Sequence, residues 1–535
     1  MNDRPESQGS PSLFLAASLH HQLEPMLQRI EVWSTVAIPS FRVVGLPGPE
    51  IIESCERVRA AIVSSGFEFP RRRLLVNLSP AGIRKQGTGT DLAIALAVLM
   101  ASDSNGTLNP GLIVASGELG LDGRVASAGK ITRTCLAAIE AGASILILAA
   151  EDQCEALKAL KLICEARQPG PGSPMGLPRL AFVESLHEAR LALSDWRALR
   201  TPSFPPDESQ PQPIPAGLLL PSEKLLRKLL AASAGAHSIL LLGPRGTGKS
   251  AALRWLSFLR EPLGAADRLS HALLQELTGE RQSGPPVREV SQHARAEALI
   301  GTIAGASRGG QVVPGELALA HGGILIADEF LEWRRDAREA LRDPMETGRV
   351  ILQRGHQSVV FPARFTFAGT ANPCPCGGVP PDSCRCSPRL RQAYLERLSG
   401  PILDRMDCLE WVGSTPARNA LPSRSELEDL QLRVSRTRER LRQDWGDLPG
   451  RLSASRLEEI VACHPRLSEL QSKWGSQDCS LRRRHREIRV ALTLAALDGC
   501  QPGPRHFLDS RPAQIPGVSA VTPRPMSLTP SSAAP

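Results

Sequence analysis

The chain has 535 residues, with 63 Lys and Arg against 55 Asp and Glu, a formal net charge of +8. That length suits two or three domains with full cores, and the small basic excess permits nucleic-acid contact without arguing for it. Aromatic residues are only 4% of the chain, with a single tyrosine, which speaks against base-stacking platforms. No run nears the roughly 20 apolar residues of a membrane span, the stretch 91–100 being too short. The first ten residues, MNDRPESQGS, lack the basic and apolar regions of a secretory signal. A cytosolic protein is expected, in which the 12 cysteines are free thiols or metal ligands.

In chain order, FRVVGLP (41–47) and RLLVNLSP (73–80) read as short strands ended by turn residues. ESCERVRAAIVSSG (53–66) and ITRTCLAAIEAG (131–142) have helical spacing closed by glycine. GLIVASGEL and SILILAA add further strands, so an α/β or α+β block is expected. Residues 201–217 hold six prolines and read as an extended linker.

A helix is expected over SEKLLRKLLAASAG (222–235), followed by SILLLGPRGTGKS (238–250). The latter is a buried strand, a glycine-rich turn and a helix opening at Ser250, the Walker A pattern in its proper setting. Gly243, Pro244, Arg245, Gly246, Thr247 and Gly248 form the phosphate cradle, with backbone N–H groups from all but Pro244. Lys249 reaches the β/γ oxygens and Ser250 holds Mg²⁺. GILIADE (323–329) is a further strand, at whose end Asp328 would act on Mg²⁺ and Glu329 would polarise the attacking water. RFTFAGTANP (364–373) ends at Asn372, suited to orienting that water. Three buried runs with functional residues at their carboxyl ends fit a parallel sheet with ligand at that edge. Residues 347–365 read as a hairpin carrying Arg354, His356 and Arg364, which either touches phosphates non-specifically or is simply solvated.

Cys374, Cys376, Cys384 and Cys386 form C-x-C, seven residues, C-x-C. Four thiolates so close suit one tetrahedral ion, with Zn²⁺ the default and free thiols or an iron–sulfur cluster the other readings. Such an ion would brace the loop that follows Asn372. The other eight cysteines read as buried fillers. Arginine-rich helices are expected from about 424 to 498, then a Pro-, Ser- and Ala-rich disordered tail.

Taken together, GPRGTGKS, PGELALAHGGILIADEF, LRDPMETGRVILQR, ANPCPCGG and LSGPILDRMD resemble, in that order, the Mg-chelatase-like AAA+ ATPases of the ComM/YifB type. The resemblance runs over most of residues 40–500. It implies an α/β protein in several parts. Residues 1–200 would be a non-catalytic Lon-protease-like (ribosomal S5 domain 2-like) α+β domain, and 201–217 the linker. Residues 218–420 would be the P-loop αβα core with its zinc insert at 374–386. A helical lid would follow over 421–510, and the tail over 511–535. It further implies a hexameric ring using ATP, Mg²⁺ and Zn²⁺. Arg405 matches the arginine finger acting on the neighbouring subunit, and Arg482 the sensor arginine of the lid; a guanidinium fork suits phosphate oxygens in both roles. The family resembles DNA translocases, and branch migration on single-stranded or branched DNA during natural transformation is the implied activity.

In the N-terminal block, Gly89 stands where Lon carries its serine and Thr134 where it carries its lysine, Lys130 being near but unmatched. Without a Ser–Lys pair, peptide hydrolysis has no nucleophile. A binding or ring-assembly role is expected instead. The chain departs from the family elsewhere. Residues 285–291 read PPVREVS, so that Ser291 and Gln292 replace two histidines, and Leu492 and Ala496 replace an arginine and an acid in the lid. The family's aspartate-rich entry to the P-loop is not recognisable. A protein-remodelling or chelatase-type motor, and a nucleotide-gated scaffold, remain open beside the DNA motor.

Overall fold

The computed structural model describes residues 14–18, 25–80, 89–102, 111–167, 176–204, 218–280, 284–303, 312–355, 357–379, 384–398, 400–413, 421–474 and 480–513. Two sheets organise it. The first has seven strands in the spatial order Ser40–Val44, Arg73–Ser79, Met26–Thr35, Phe14–Ser18, Ile113–Ser116, Ile145–Ala149 and Arg179–Val183. Met26–Thr35 runs antiparallel to both neighbours, and the last four strands of that order are mutually parallel. Helix Asp91–Ser102 lies in the core, its residues from Asp91 to Leu99 all buried. This explains why its apolar run has no polar stripe. The expected helix at 53–66 starts earlier, at Pro49. A proline at the first helical position costs nothing because its missing N–H has no intrahelical partner.

The second sheet has five strands, all parallel, in the order Val287–Val290, Ile324–Ala327, Thr366–Ala371, Ile239–Leu242 and Cys408–Trp411. Numbered along the chain this is 2-3-4-1-5. Every residue of Ile239–Leu242 and Ile324–Ala327 is buried, as central parallel strands covered on both faces require. The carboxyl ends of the first, third and fourth strands therefore meet at one edge. This mixed α/β architecture with a parallel sheet agrees with a P-loop fold.

Five helices follow: Arg424–Trp445, Ala454–Cys463, Pro465–Trp474, Leu481–Leu497 and Pro504–Ser510. The first opens on a capping box, Ser423 with Glu426, and closes on Gly446 at φ +85°. It is pinned to helix Glu223–Gly235 and to the end of helix Lys249–Phe258 by Arg438, a buried side chain whose Nη2 donates to Ser233 O at 2.8 Å and Leu259 O at 2.9 Å. Leu259 ends the helix that leaves the phosphate loop.

The two sheets are joined through helix Gln153–Arg167 and helix Ala265–Thr278. Arg268 pairs with Glu165 at 2.6 Å. Buried Arg133 lies 3.7 Å from Glu276 and donates to Leu273 O at 3.1 Å. Of the expected linker, 205–217 lies outside the described residues, while Phe204 packs on the first sheet's core. At the start of the expected tail, Ala513 N–H donates to Leu409 O of the edge strand at 2.8 Å, and residues 514–535 lie outside the described part. Among the described residues no helix is long and apolar enough to cross a membrane.

Candidate functional site

The phosphate loop is built where the expected strand, turn and helix meet. Gly246 and Gly248 take φ of +77° and +81°, conformations a side chain disfavours. The helix spans Lys249–Phe258, opening one residue before Ser250. Gly243 is forced by close approach: a Cβ there would lie 2.2 Å from Val412 O. Its N–H donates to Ala371 O at 3.2 Å, locking the loop to the fourth strand.

Lys249 is buried, and its Nζ donates to Gly243 O at 2.8 Å, Pro244 O at 2.6 Å and Asn372 Oδ1 at 3.2 Å. Burial pulls the Lys249 amine below its usual value, with Asp328 and Glu329 opposing that shift. Ser250 Oγ lies 2.9 and 3.1 Å from the two Asp328 carboxylate oxygens. A hydroxyl and a carboxylate side by side at the mouth of an N–H cradle form a fitting donor set for Mg²⁺ beside a triphosphate. Glu329 sits in the left-handed region at φ +47°. Its N–H donates to Thr370 Oγ1 at 3.0 Å, and the Thr370 hydroxyl donates to Asp328. Thr370 is a further member of the site. Its signal is its place two residues before Asn372, near the carboxyl end of the strand Thr366–Ala371.

Arg405 and Arg482 are brought together, but not at this phosphate loop. Both bind Glu346: Arg405 through Nη2, and Arg482 through Nη2 at 2.9 Å. Arg482 lies in the first turn of helix Leu481–Leu497, and its described ion pair is with Glu346. Helix Leu481–Leu497 is held to the turn around Arg405, where Arg486 donates to Leu403 O and Met406 O at 3.1 and 3.0 Å. Glu346 escaped sequence reading because a lone exposed acid carries no signal.

The hairpin forms as Arg349–Arg354 paired with Gln357–Pro362. Val350, Leu352, Val359 and Phe361 face the core, while the cross-strand pair Ile351 and Val360 is exposed. Arg354 is tied back to Ile303 O, and His356 lies outside the described residues. Arg364 lies past the hairpin and donates its N–H to His321 Nδ1 at 3.1 Å. Arg354 lies at the tip, and Arg364 two residues beyond the base at Pro362.

Ligand atoms of Cys374, Cys376, Cys384 and Cys386 all lie within 4.8 Å of one another. Three of the sulfur separations are 3.0, 3.5 and 3.6 Å. A Zn–S distance of about 2.3 Å gives a tetrahedron with edges of about 3.8 Å, so the four sulfurs fit one ion of that kind. Burial raises the Cys374 thiol, while hydrogen bonding with Cys374 lowers that of Cys376. Of the other cysteines, Cys135 and Cys408 are buried, but Cys154, Cys463 and Cys500 are exposed. Apolar sequence surroundings misled there: Cys154 and Cys463 sit on helices, one face of which meets solvent, and Cys500 lies in the bend after helix Leu481–Leu497. Cys479 lies outside the described residues.

In the first sheet's domain, Thr134 is buried and its hydroxyl donates to Lys130 O at 3.2 Å. A Cβ at Gly89 would lie 2.9 Å from Ala128 Cβ, too close for a side chain without a shift. Residues 81–88 before it lie outside the described part.

Two family descriptions match this chain: Magnesium chelatase, subunit ChlI, over residues 221–419, and Subunit ChlI of Mg-chelatase, over residues 30–152. The chain is 30% identical over 488 residues to the uncharacterized protein YifB of Salmonella typhimurium, covering 88% of this chain and 90% of that protein. The chain belongs to the Mg-chelatase-like ComM/YifB family. It is also 29% identical to the competence protein ComM of Haemophilus influenzae, over 89% of this chain and 92% of that one. A shorter likeness, 28% identity over 164 residues, links it to the magnesium-chelatase 38 kDa subunit of Rhodobacter capsulatus, covering 47% of that protein. For a Mg-chelatase-like AAA+ family member, ATP and Mg²⁺ are the implied ligands.

Proposed function

We propose that this family member is an ATP-hydrolysing motor that assembles as a ring, in its active form a hexamer, and moves branched or single-stranded DNA. ATP lies along Gly243–Gly248 with Lys249 on its terminal phosphates; Mg²⁺ is held between Ser250 and Asp328. Glu329 takes a proton from the attacking water, and Asn372 orients both that water and Lys249. The single observation that carries the reading is the meeting of Ser250 with Asp328, 78 residues apart, beside the Lys249–Asn372 bond. Chance surface pairs do not assemble at the carboxyl ends of three adjacent parallel strands.

Arg405 and Arg482 act on the nucleotide of the neighbouring subunit. Their common attachment to Glu346, with no bond to their own phosphate loop among those described, supports that reading. The four cysteines hold structural Zn²⁺. The domain around the first sheet is a non-catalytic relative of the Lon proteolytic fold that serves assembly, and the helices after 421 are the lid. DNA as substrate rests on kinship with ComM, with Arg364 and the hairpin as contacts.

The test is ATP turnover with and without junction DNA, with native mass spectrometry reporting subunit count. Stimulation by DNA in a nucleotide-dependent ring supports the motor; a folded ring indifferent to DNA overturns the substrate. The likeness to the 38 kDa chelatase subunit favours a second reading, a motor for a protein partner, which predicts stimulation by that partner alone.

A further inference from the structure

The cysteine cluster and the phosphate loop are joined by backbone. Gly377 directs its carbonyl at the Arg245 N–H, 3.1 Å away, and donates its own N–H to Cys374 O at 2.9 Å. That turn puts Gly377 at φ +76°. Its Cα also packs so closely on Arg245 that a Cβ would lie 2.5 Å from Arg245 Cγ. Just upstream, Ala371 O takes the Gly243 N–H and Asn372 takes Lys249. Between Ala371 and Gly378 the chain thus grips the phosphate loop at residues 243, 245 and 249 while delivering the first two sulfurs of the cluster. The other two come from beyond the intervening segment, on the approach to helix Pro388–Leu395. Arg391 of that helix reaches Cys386 O at 3.4 Å.

We propose that metal at the four cysteines and nucleotide at the phosphate loop bind with reciprocal, positive coupling, transmitted through the Gly377–Arg245 contact. This rests on the nucleotide reading above and assigns that site its regulator. The bound ion ties Cys384 and Cys386 to Cys374 and Cys376, closing the turn that presents the Gly377 carbonyl. Without it the turn keeps its Gly377–Cys374 backbone bond but is joined to Cys384 only by weak thiol contacts. The Arg245 amide then loses a fixed acceptor, and the loop must be ordered by the nucleotide itself. Losing one neutral hydrogen bond's worth of ordering raises the nucleotide Kd about three- to tenfold. Linkage requires nucleotide to tighten the metal by the same factor.

The experiment uses the full chain loaded with Zn²⁺ and the same chain stripped by a chelator and returned to Mg²⁺ buffer. Titration with a fluorescent non-hydrolysable ATP analogue gives the nucleotide Kd of each form. Competition with a chromophoric chelator gives the Zn²⁺ Kd with and without the analogue. The expected result is the same factor in both directions. The double variant Cys384→Ser, Cys386→Ser, remote from the phosphate loop, reproduces the stripped form. Gly377→Ala retains equimolar zinc yet binds nucleotide weakly with or without the ion. Equal nucleotide Kd in loaded and stripped chains, or a folded chain that takes up no Zn²⁺, overturns the coupling and leaves the nucleotide reading standing. A loaded, folded chain that binds no nucleotide overturns both.

Discussion

Replacing Lys249 by alanine removes an ammonium that is only 8% exposed and has three acceptors within 3.2 Å. Two of those acceptors are carbonyls of the phosphate loop itself, so the lysine is held against the loop it serves. Triphosphate offers charged oxygens in place of those neutral carbonyls. A charge-assisted hydrogen bond contributes about 1.5–3 kcal/mol, and each 1.4 kcal/mol is tenfold in Kd. Lys249→Ala therefore weakens ATP binding about tenfold to a hundredfold. The fold loses less, because burial already works against the charged amine. Asn372→Ala removes only one of the lysine's anchors and weakens binding about three- to tenfold, the value of one ordinary hydrogen bond. Equilibrium titration with a fluorescent ATP analogue measures both variants, with thermal melting as the control for folding. A Lys249→Ala chain that melts like the parent and binds the analogue with unchanged Kd would refute the assignment of this loop.

Three further outcomes follow from the geometry. Arg405→Ala binds ATP normally but does not hydrolyse it, and mixing it with Lys249→Ala restores turnover, because each mixed interface can combine an intact loop with an intact arginine; no recovery in mixed rings places Arg405 outside the shared site. Arg438→Ala removes the side-chain donor to the buried Ser233 carbonyl, while Leu259 O keeps the Ser233 hydroxyl at 2.8 Å, and an acceptor left unsatisfied costs about 1–3 kcal/mol, read as a lower denaturant midpoint. Burial alone would raise Glu261, but two Arg442 bonds of 2.6 Å outweigh it and leave the carboxyl below its usual value of 4.5. A lowered folded value means the pair's stabilisation is complete above the unfolded pKa and is lost as pH falls through the folded one. Arg442→Ala accordingly loses stability at neutral pH and shows a shallower decline on acidification than the parent, checked by melts between about pH 6 and about pH 3; parallel pH profiles would contradict the linkage.

Much of the site was legible because its parts are local. Glycines at positions 246 and 248, a lysine and a serine after an apolar run can be read from a few consecutive residues, since turn geometry and helix start are set within that span. The same holds for the acids closing GILIADE and for the spacing that gathers four thiols. The misread exposed cysteines, the early helix start at Pro49 and the tail's hydrogen bond at Ala513 are boundary and packing questions, on which short-range pattern is weakest.

The amino-acid order alone determined which groups are present and which strand ends carry them. Tertiary structure decided their company. The 2-3-4-1-5 strand order sets Thr366–Ala371 beside Ile239–Leu242, and only that adjacency brings Asn372 to Lys249 and Gly377 to Arg245. Packing of helix Leu481–Leu497 against the turn at Leu403–Met406 gives Arg405 and Arg482 a common partner in Glu346, residues 59 and 136 positions away along the chain. Contacts over such separations are selected by how whole elements bury their apolar faces, a property of the assembled layers rather than of any short run of residues.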